Sequence, residues 1–73
     1  MGDTPSQNPY AVPPVERALK LLHYIGEGQR ARNLSTVSRD LGINRTTLIR
    51  LIHTLLEHRM IEELGDGGGY RLG

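Results

Sequence analysis

The chain contains no cysteine, no tryptophan and no phenylalanine. Without cysteine, neither a disulfide framework nor a thiolate zinc site can staple the fold, and nothing points to an oxidising compartment. Aromatic residues make up 4% of the sequence against 37% for all apolar residues. The interior therefore has to be aliphatic, filled by Leu, Ile and Val with little beside them except Tyr24 or Tyr70. That composition suits packed helices better than a β-sandwich. A long apolar run is also missing. The first 14 residues hold all four prolines and five polar side chains, with no basic segment leading into an apolar one, so neither export nor membrane insertion is indicated. We expect a soluble, cytoplasmic protein with no membrane contact. At 73 residues it can form one small domain with an economical core.

Net charge is scarce as well. The formal value of +1 does not by itself imply a nucleic-acid partner. Distribution says more: between Gly28 and Arg59 lie Arg30, Arg32, Arg39, Arg45, Arg50 and Arg59 against only Asp40 and Glu57, a local excess of +4. The cationic side chains gather in the middle of the chain.

Residues 1–13 mix Pro, polar residues and the isolated apolar Tyr10 and Val12 without a period, and read as a flexible tail. The domain is expected over 14–73. Pro14 suits the first turn of a helix and Glu16 its positive end. Val15, Ala18, Leu19, Leu22 and Ile25 recur at spacings of three and four, which places them on one inward stripe that ends at Gly26-Glu27-Gly28. Leu21 and Tyr24 fall off that stripe, as exposed apolar residues or as a surface for a second subunit. Arg30 to Leu34 lacks a helical pattern and suggests a short strand. Ser35 can cap a short helix through Asp40 with Val37 and Leu41 inward, and Gly42 supplies the positive φ of a tight turn. Asn44 then caps a third helix running to about His58, with Leu48, Leu51, Ile52, Leu55 and Leu56 as its buried seam. Two helices joined by a short Gly-containing turn make a helix-turn-helix. Met60 to Leu64 and Tyr70 to Leu72 flank a glycine cluster and read as a hairpin. The fold class expected is mainly α with a small β-hairpin: a winged helix-turn-helix of three helices plus a wing.

With Leu48 inward and about 100° per residue, Thr46, Ile49, Arg50, His53 and Glu57 fall on the outer side of the third helix, flanked by Arg45 and Thr47. A helix that enters a major groove needs such side chains near its start, able to reach base edges and phosphates. Arg50 leads, because its planar fork can bind guanine bidentately or clamp a phosphate. Arg45 follows. Thr46 and Thr47 can donate to phosphates beside the first-turn amides, and Ile49 can meet a thymine methyl. Ser35 and Arg39 of the preceding helix, and Arg71 of the wing, complete the candidate DNA contacts. A lone helix with this face would more readily be a solvated surface. The capped helix before it and the wing after it shift the balance toward DNA.

The run from Gly42 to Leu55 (GINRTTLIRLIHTL), with Val15-Glu16-Arg17-Ala18-Leu19 before it and Tyr70-Arg71-Leu72-Gly73 after it, resembles the DNA-binding domain of the isocitrate lyase regulator (IclR) family of bacterial transcription regulators. The resemblance implies double-stranded operator DNA as partner and a homodimer or tetramer in the intact protein. It also implies a small organic effector, bound by a C-terminal domain absent from this chain, and control of a nearby catabolic operon. Two positions depart from the family pattern. Position 44 is Asn where Pro is common, which changes the cap more than the docking. The wing tip, Asp66-Gly67-Gly68-Gly69, lacks the basic residue many winged helices carry there, leaving Arg71 as the wing's phosphate contact.

Other chemistry finds little support. His23, His53 and His58 have no second ligand at i+3 or i+4, so no metal is expected. Glu62 and Glu63 are neighbours on a strand and point to opposite faces, which forbids a converging acid/base pair. The glycine cluster is followed by a strand and not by the helix a phosphate loop requires. Ser35 and Ser38 have no general base. No cofactor and no enzymatic activity are expected. The rival class is a winged helix used for protein interaction or dimerisation through apolar residues of the first helix such as Leu21 and Tyr24, without specific DNA readout.

Overall fold

A computed structural model describes residues 9–73, so most of the tail expected over 1–13 lies outside the described residues. The elements in chain order are α1 (Pro13–Gly26), α2 (Leu34–Leu41), α3 (Arg45–Glu57), β1 (Ile61–Leu64) and β2 (Gly69–Leu72). These are the three helices and the hairpin that the periodicity predicts.

α1 opens on Pro13 and Pro14, preceded by an extended Val12 and carrying Glu16 in its first turn. Its buried face differs from the expected stripe. Leu21 is fully buried and Ile25 nearly so, while Val15 and Leu19 are about half exposed, at 54% and 48%. Tyr24 is half-buried against the core. The physical reason is that α1 carries more apolar residues than one face can bury. Spacings of three and four fit both 15-19-22 and 18-21-25, and the elements packed on α1, chiefly β2 and α3, select the second. Of the two residues offered for the rival contact surface, Leu21 is thus taken up by the core and Tyr24 is half-buried, while Val15 and Leu19 are the apolar residues that α1 exposes.

The segment after α1 forms no strand. Ala31 is buried and sits at φ 55°, in the left-handed region, so an extended run cannot continue past Arg30. One ladder-like bond survives, from the Tyr70 amide to the Arg30 carbonyl at 2.7 Å. α2 is capped by Asn33 and not by Ser35: the Asn33 Oδ1 accepts from the amides of Ser35 and Thr36 at 3.0 and 3.3 Å. Asn is at least as good an acceptor as Ser at this position, and its earlier place draws Leu34 into the first turn.

Gly42 closes α2 at φ 67°, the conformation a glycine tolerates without a Cβ penalty. The turn is then locked twice, because the Ile43 amide donates to the Ser38 carbonyl at 3.1 Å and the Ser38 hydroxyl donates back to the Ile43 carbonyl. Ile43 itself is buried. Asn44 caps α3 as expected, its Oδ1 accepting from the Thr47 amide at 3.1 Å. Leu48, Ile52 and Leu55 bury the inner seam, with Leu51 and Leu56 partly covered.

β1 and β2 pair antiparallel from Ile61↔Leu72 to Leu64↔Gly69. The tip closes with the Gly68 amide on the Gly65 carbonyl at 3.0 Å, and Asp66 and Gly67 between them both have positive φ, 57° and 68°, as a type I′ hairpin turn requires. One aliphatic core joins Leu21, Ile25, Ala31, Val37, Ile43, Leu48, Ile52, Leu55 and Ile61. At about 1.5–3 kcal/mol for each fully buried large side chain, this core holds α2 and α3 in one rigid unit. Among the described residues no helix is long and apolar enough to cross a membrane.

Candidate nucleic-acid interface

The inner seam of α3 determines its outer face. With Leu48, Ile52 and Leu55 turned into the core, Arg45, Thr46, Arg50 and His53 are exposed, Thr47 is half-buried and Ile49 is 41% exposed. The structure thus brings these predicted residues onto one side of one helix. The Thr47 amide is taken by the Asn44 cap, which leaves the Arg45 and Thr46 amides as the open donors of the first turn. Farther along, the Thr54 hydroxyl donates to the Arg50 carbonyl at 2.8 Å.

The arginines of this face are unpaired, and its one acid, Glu57, lies exposed at the far end of the helix. The ion pairs among the described residues are Arg39 with Asp40 and Arg71 with Glu62, so the guanidinium groups of Arg45 and Arg50 meet no carboxylate. No buried polar side-chain atom lacks a partner among the described residues. The polar chemistry of the domain is accordingly displayed at its surface.

The remaining predicted contacts are placed less uniformly. Ser35 is exposed in the first turn of α2, where its amide serves the Asn33 cap. Arg39 lies near the end of α2, with Nε 3.8 Å from Asp40 and a largely exposed side chain, a contact too long and too wet to hold it firmly. Arg71 is different. Its Nη2 lies 2.8 Å and its Nε 2.9 Å from Glu62 Oε1, across the register pair that joins the two strands. Glu62 is thus a cross-strand partner rather than a free solvated charge, and Arg71 carries a bound counter-charge.

Sequence reasoning missed contacts that tie α1 to α2 and start α2. Tyr24 donates from its hydroxyl to Asp40 Oδ2 at 3.1 Å, tying α1 to the end of α2. Partial loss of solvent pushes the Tyr24 hydroxyl above its ordinary range, and the Asp40 hydrogen bond and charge add to it. Tyr70 is pushed up by burial and then by Glu63. A Tyr and an Asp sixteen positions apart leave no local signal. The Asn33 cap did have one, since Asn before a Leu-Ser-Thr run is a standard helix start.

The family model described as the IclR helix-turn-helix domain matches residues 14–65. The chain is similar to the HTH-type transcriptional regulator TtgV of Pseudomonas putida, with 32% identity over 59 residues. It is also similar to the HTH-type transcriptional regulator XynR of Escherichia coli, with 36% identity over 59 residues. Each alignment covers 81% of this chain and 23% of the relative, so the chain spans less than a quarter of the length of these curated relatives. No solved structure matches it significantly. Since the match takes in all three helices and the first hairpin strand, the chain belongs to the IclR family, as the helix-turn-helix DNA-binding domain of a transcriptional regulator.

Proposed function

We propose that the domain, taken as residues 14–73, binds double-stranded operator DNA sequence-specifically, with α3 and its cap, about residues 44–58, lying in the major groove. Arg45, Thr46, Thr47, Ile49, Arg50 and His53 make the groove contacts, while Ser35 and Arg39 hold α2 against the sugar-phosphate backbone. Arg71 reaches phosphate only by giving up Glu62, so it is the weakest member of the set. The observation that carries the reading is the pair of exposed, unpaired arginines, Arg45 and Arg50, on the outer face of α3, presented by a helix whose opposite side is fixed in the core.

In the intact cytoplasmic regulator two or four copies act together, two of them on a partly palindromic operator, and a small organic effector binds to a further domain. The domain acts by binding and not by catalysis, in keeping with relatives named as regulators. Arg50→Ala tests the site. It is expected to weaken binding by about 1–3 kcal/mol if Arg50 reads a base, with selectivity lost at one position. If Arg50 clamps a phosphate, the salt dependence flattens instead. Fluorescence titrations at several salt concentrations that match wild type would remove Arg50 from the interface.

A further inference from the structure

The hairpin tip carries Asp66 and no cation, and Arg71, the hairpin's cation, is paired with Glu62. A winged helix that lays α3 in a groove brings its hairpin close to the flanking phosphates, and this hairpin meets them only with a cation that must first leave its carboxylate partner. The connection between α1 and α2 holds two cations unpaired among the described residues, Arg30 and Arg32, and of these Arg32 lies against the hairpin tip. Arg32 is exposed and takes part in neither ion pair among the described residues. It lines the cleft between the start of α2 and the hairpin, together with Leu34, Glu63, Gly67 and Tyr70.

Its backbone is held on both sides. The Arg30 carbonyl is bound by the Tyr70 amide, Ala31 is buried at φ 55°, and Asn33 caps α2. A left-handed alanine costs about 1–2 kcal/mol, and such strain persists only where the surroundings over-determine it. Here it turns the chain out of the strand direction beside Arg30, immediately before Arg32. A cation on a fixed backbone loses less freedom on binding than one on a free loop.

We infer that Arg32 is a DNA-backbone contact, bridging the start of α2 and the hairpin tip and taking the place of the basic residue that the tip lacks. The inference rests on the reading that α3 enters the major groove. Glu63, in the same cleft, opposes the phosphate and sets the strength of the contact.

Counterion release gives the test without knowledge of the operator, because phosphate contacts act on any sequence. The full chain is titrated against a mixed-sequence duplex over a range of salt. Arg32→Ala is expected to make the slope of log K against log salt shallower by about 0.9, with binding about tenfold weaker near 0.1 M salt and equal to wild type near 1 M. Arg32→Lys restores the slope, Glu63→Gln tightens binding, and Lys20→Ala, which removes an equal charge from α1, leaves the slope alone. Thermal melting stays at the wild-type value in Arg32→Ala. An unchanged slope with a lowered melting point makes Arg32 a structural partner of Glu63 and overturns the inference, as does an equal loss in Lys20→Ala. If Arg50→Ala weakens binding while Arg32→Ala does not, only this inference falls. If the wild-type chain shows no salt-dependent binding at all, the groove reading falls and takes it along.

Discussion

Replacing Gly69 with alanine should loosen the hairpin from the helical body. Gly69 has φ 87°, and a Cβ added there would lie 2.0 Å from the Arg30 carbonyl oxygen, 2.8 Å from its carbon and 2.9 Å from the Arg30 Cβ. Two of these are backbone atoms, so no side-chain rotation relieves the overlap. The dihedral alone costs an alanine about 1–3 kcal/mol. Separating the segments also breaks the 2.7 Å bond from the Tyr70 amide to Arg30, worth about 1 kcal/mol net. The sum is about 2–4 kcal/mol, a large part of the stability of a domain this small, which is on the order of 5 kcal/mol. At about 4–8 °C per kcal/mol the melting midpoint should fall by roughly 10–30 °C. Gly65 is the control: its added Cβ meets nothing within 4 Å, and Gly65→Ala should be neutral or stabilising by up to about 1 kcal/mol. Circular dichroism reads the midpoints, and hydrogen exchange reads the Tyr70 amide. If Gly69→Ala melts with wild type and keeps that amide protected, the docking of the hairpin through Arg30 is wrong.

Two further outcomes follow from the caps and the tyrosines. Asn44→Ala removes the acceptor of the Thr47 amide and should cost about 1 kcal/mol in urea unfolding, fraying the turn that presents Arg45 and Thr46. An unchanged midpoint would show that the cap is replaceable. Tyr24 has a folded pKa above its ordinary value of 10.0, so its contribution is fully present below that value and is lost as pH rises through the folded one. Tyr70 shifts in the same direction. Stability should therefore fall on the alkaline side, and Tyr24→Phe should lose part of that fall. Identical alkaline profiles for variant and wild type would contradict the Tyr24 to Asp40 bond.

The parts of the site legible in the sequence are those a regular helix determines. Once Leu48, Ile52 and Leu55 are taken as inward, the positions of Arg45, Thr46, Ile49, Arg50 and His53 follow from the helical repeat, and the structure leaves all five exposed. Gly42 and Asn44 were equally readable, because a left-handed stop and an amide acceptor are local requirements. Arg71 was readable as a cation on the wing. Its ion pair with Glu62 was not, since that depends on the strand register.

α1 shows where local reasoning ends. Its apolar residues satisfy two helical stripes equally well, and nothing within the helix prefers one. The choice is made by β2 and α3, which pack on α1; the Leu72 side chain of β2 lies so close to Gly26 that an added Cβ would stand 3.1 Å from it. The same strand holds Arg30 through Tyr70 and thereby fixes the backbone that ends at Arg32. Strand β2, near the C-terminal end of the sequence, thus helps to select which face of the first helix is buried, and its Tyr70 fixes the start of the connection to α2 at Arg30. Helix 3 carries its own instructions for what it displays. The segment that carries Arg30 and Arg32 acquires its place only when the hairpin closes on it, so changes at Gly69 and Tyr70 should alter backbone binding while leaving base selectivity by α3 in place.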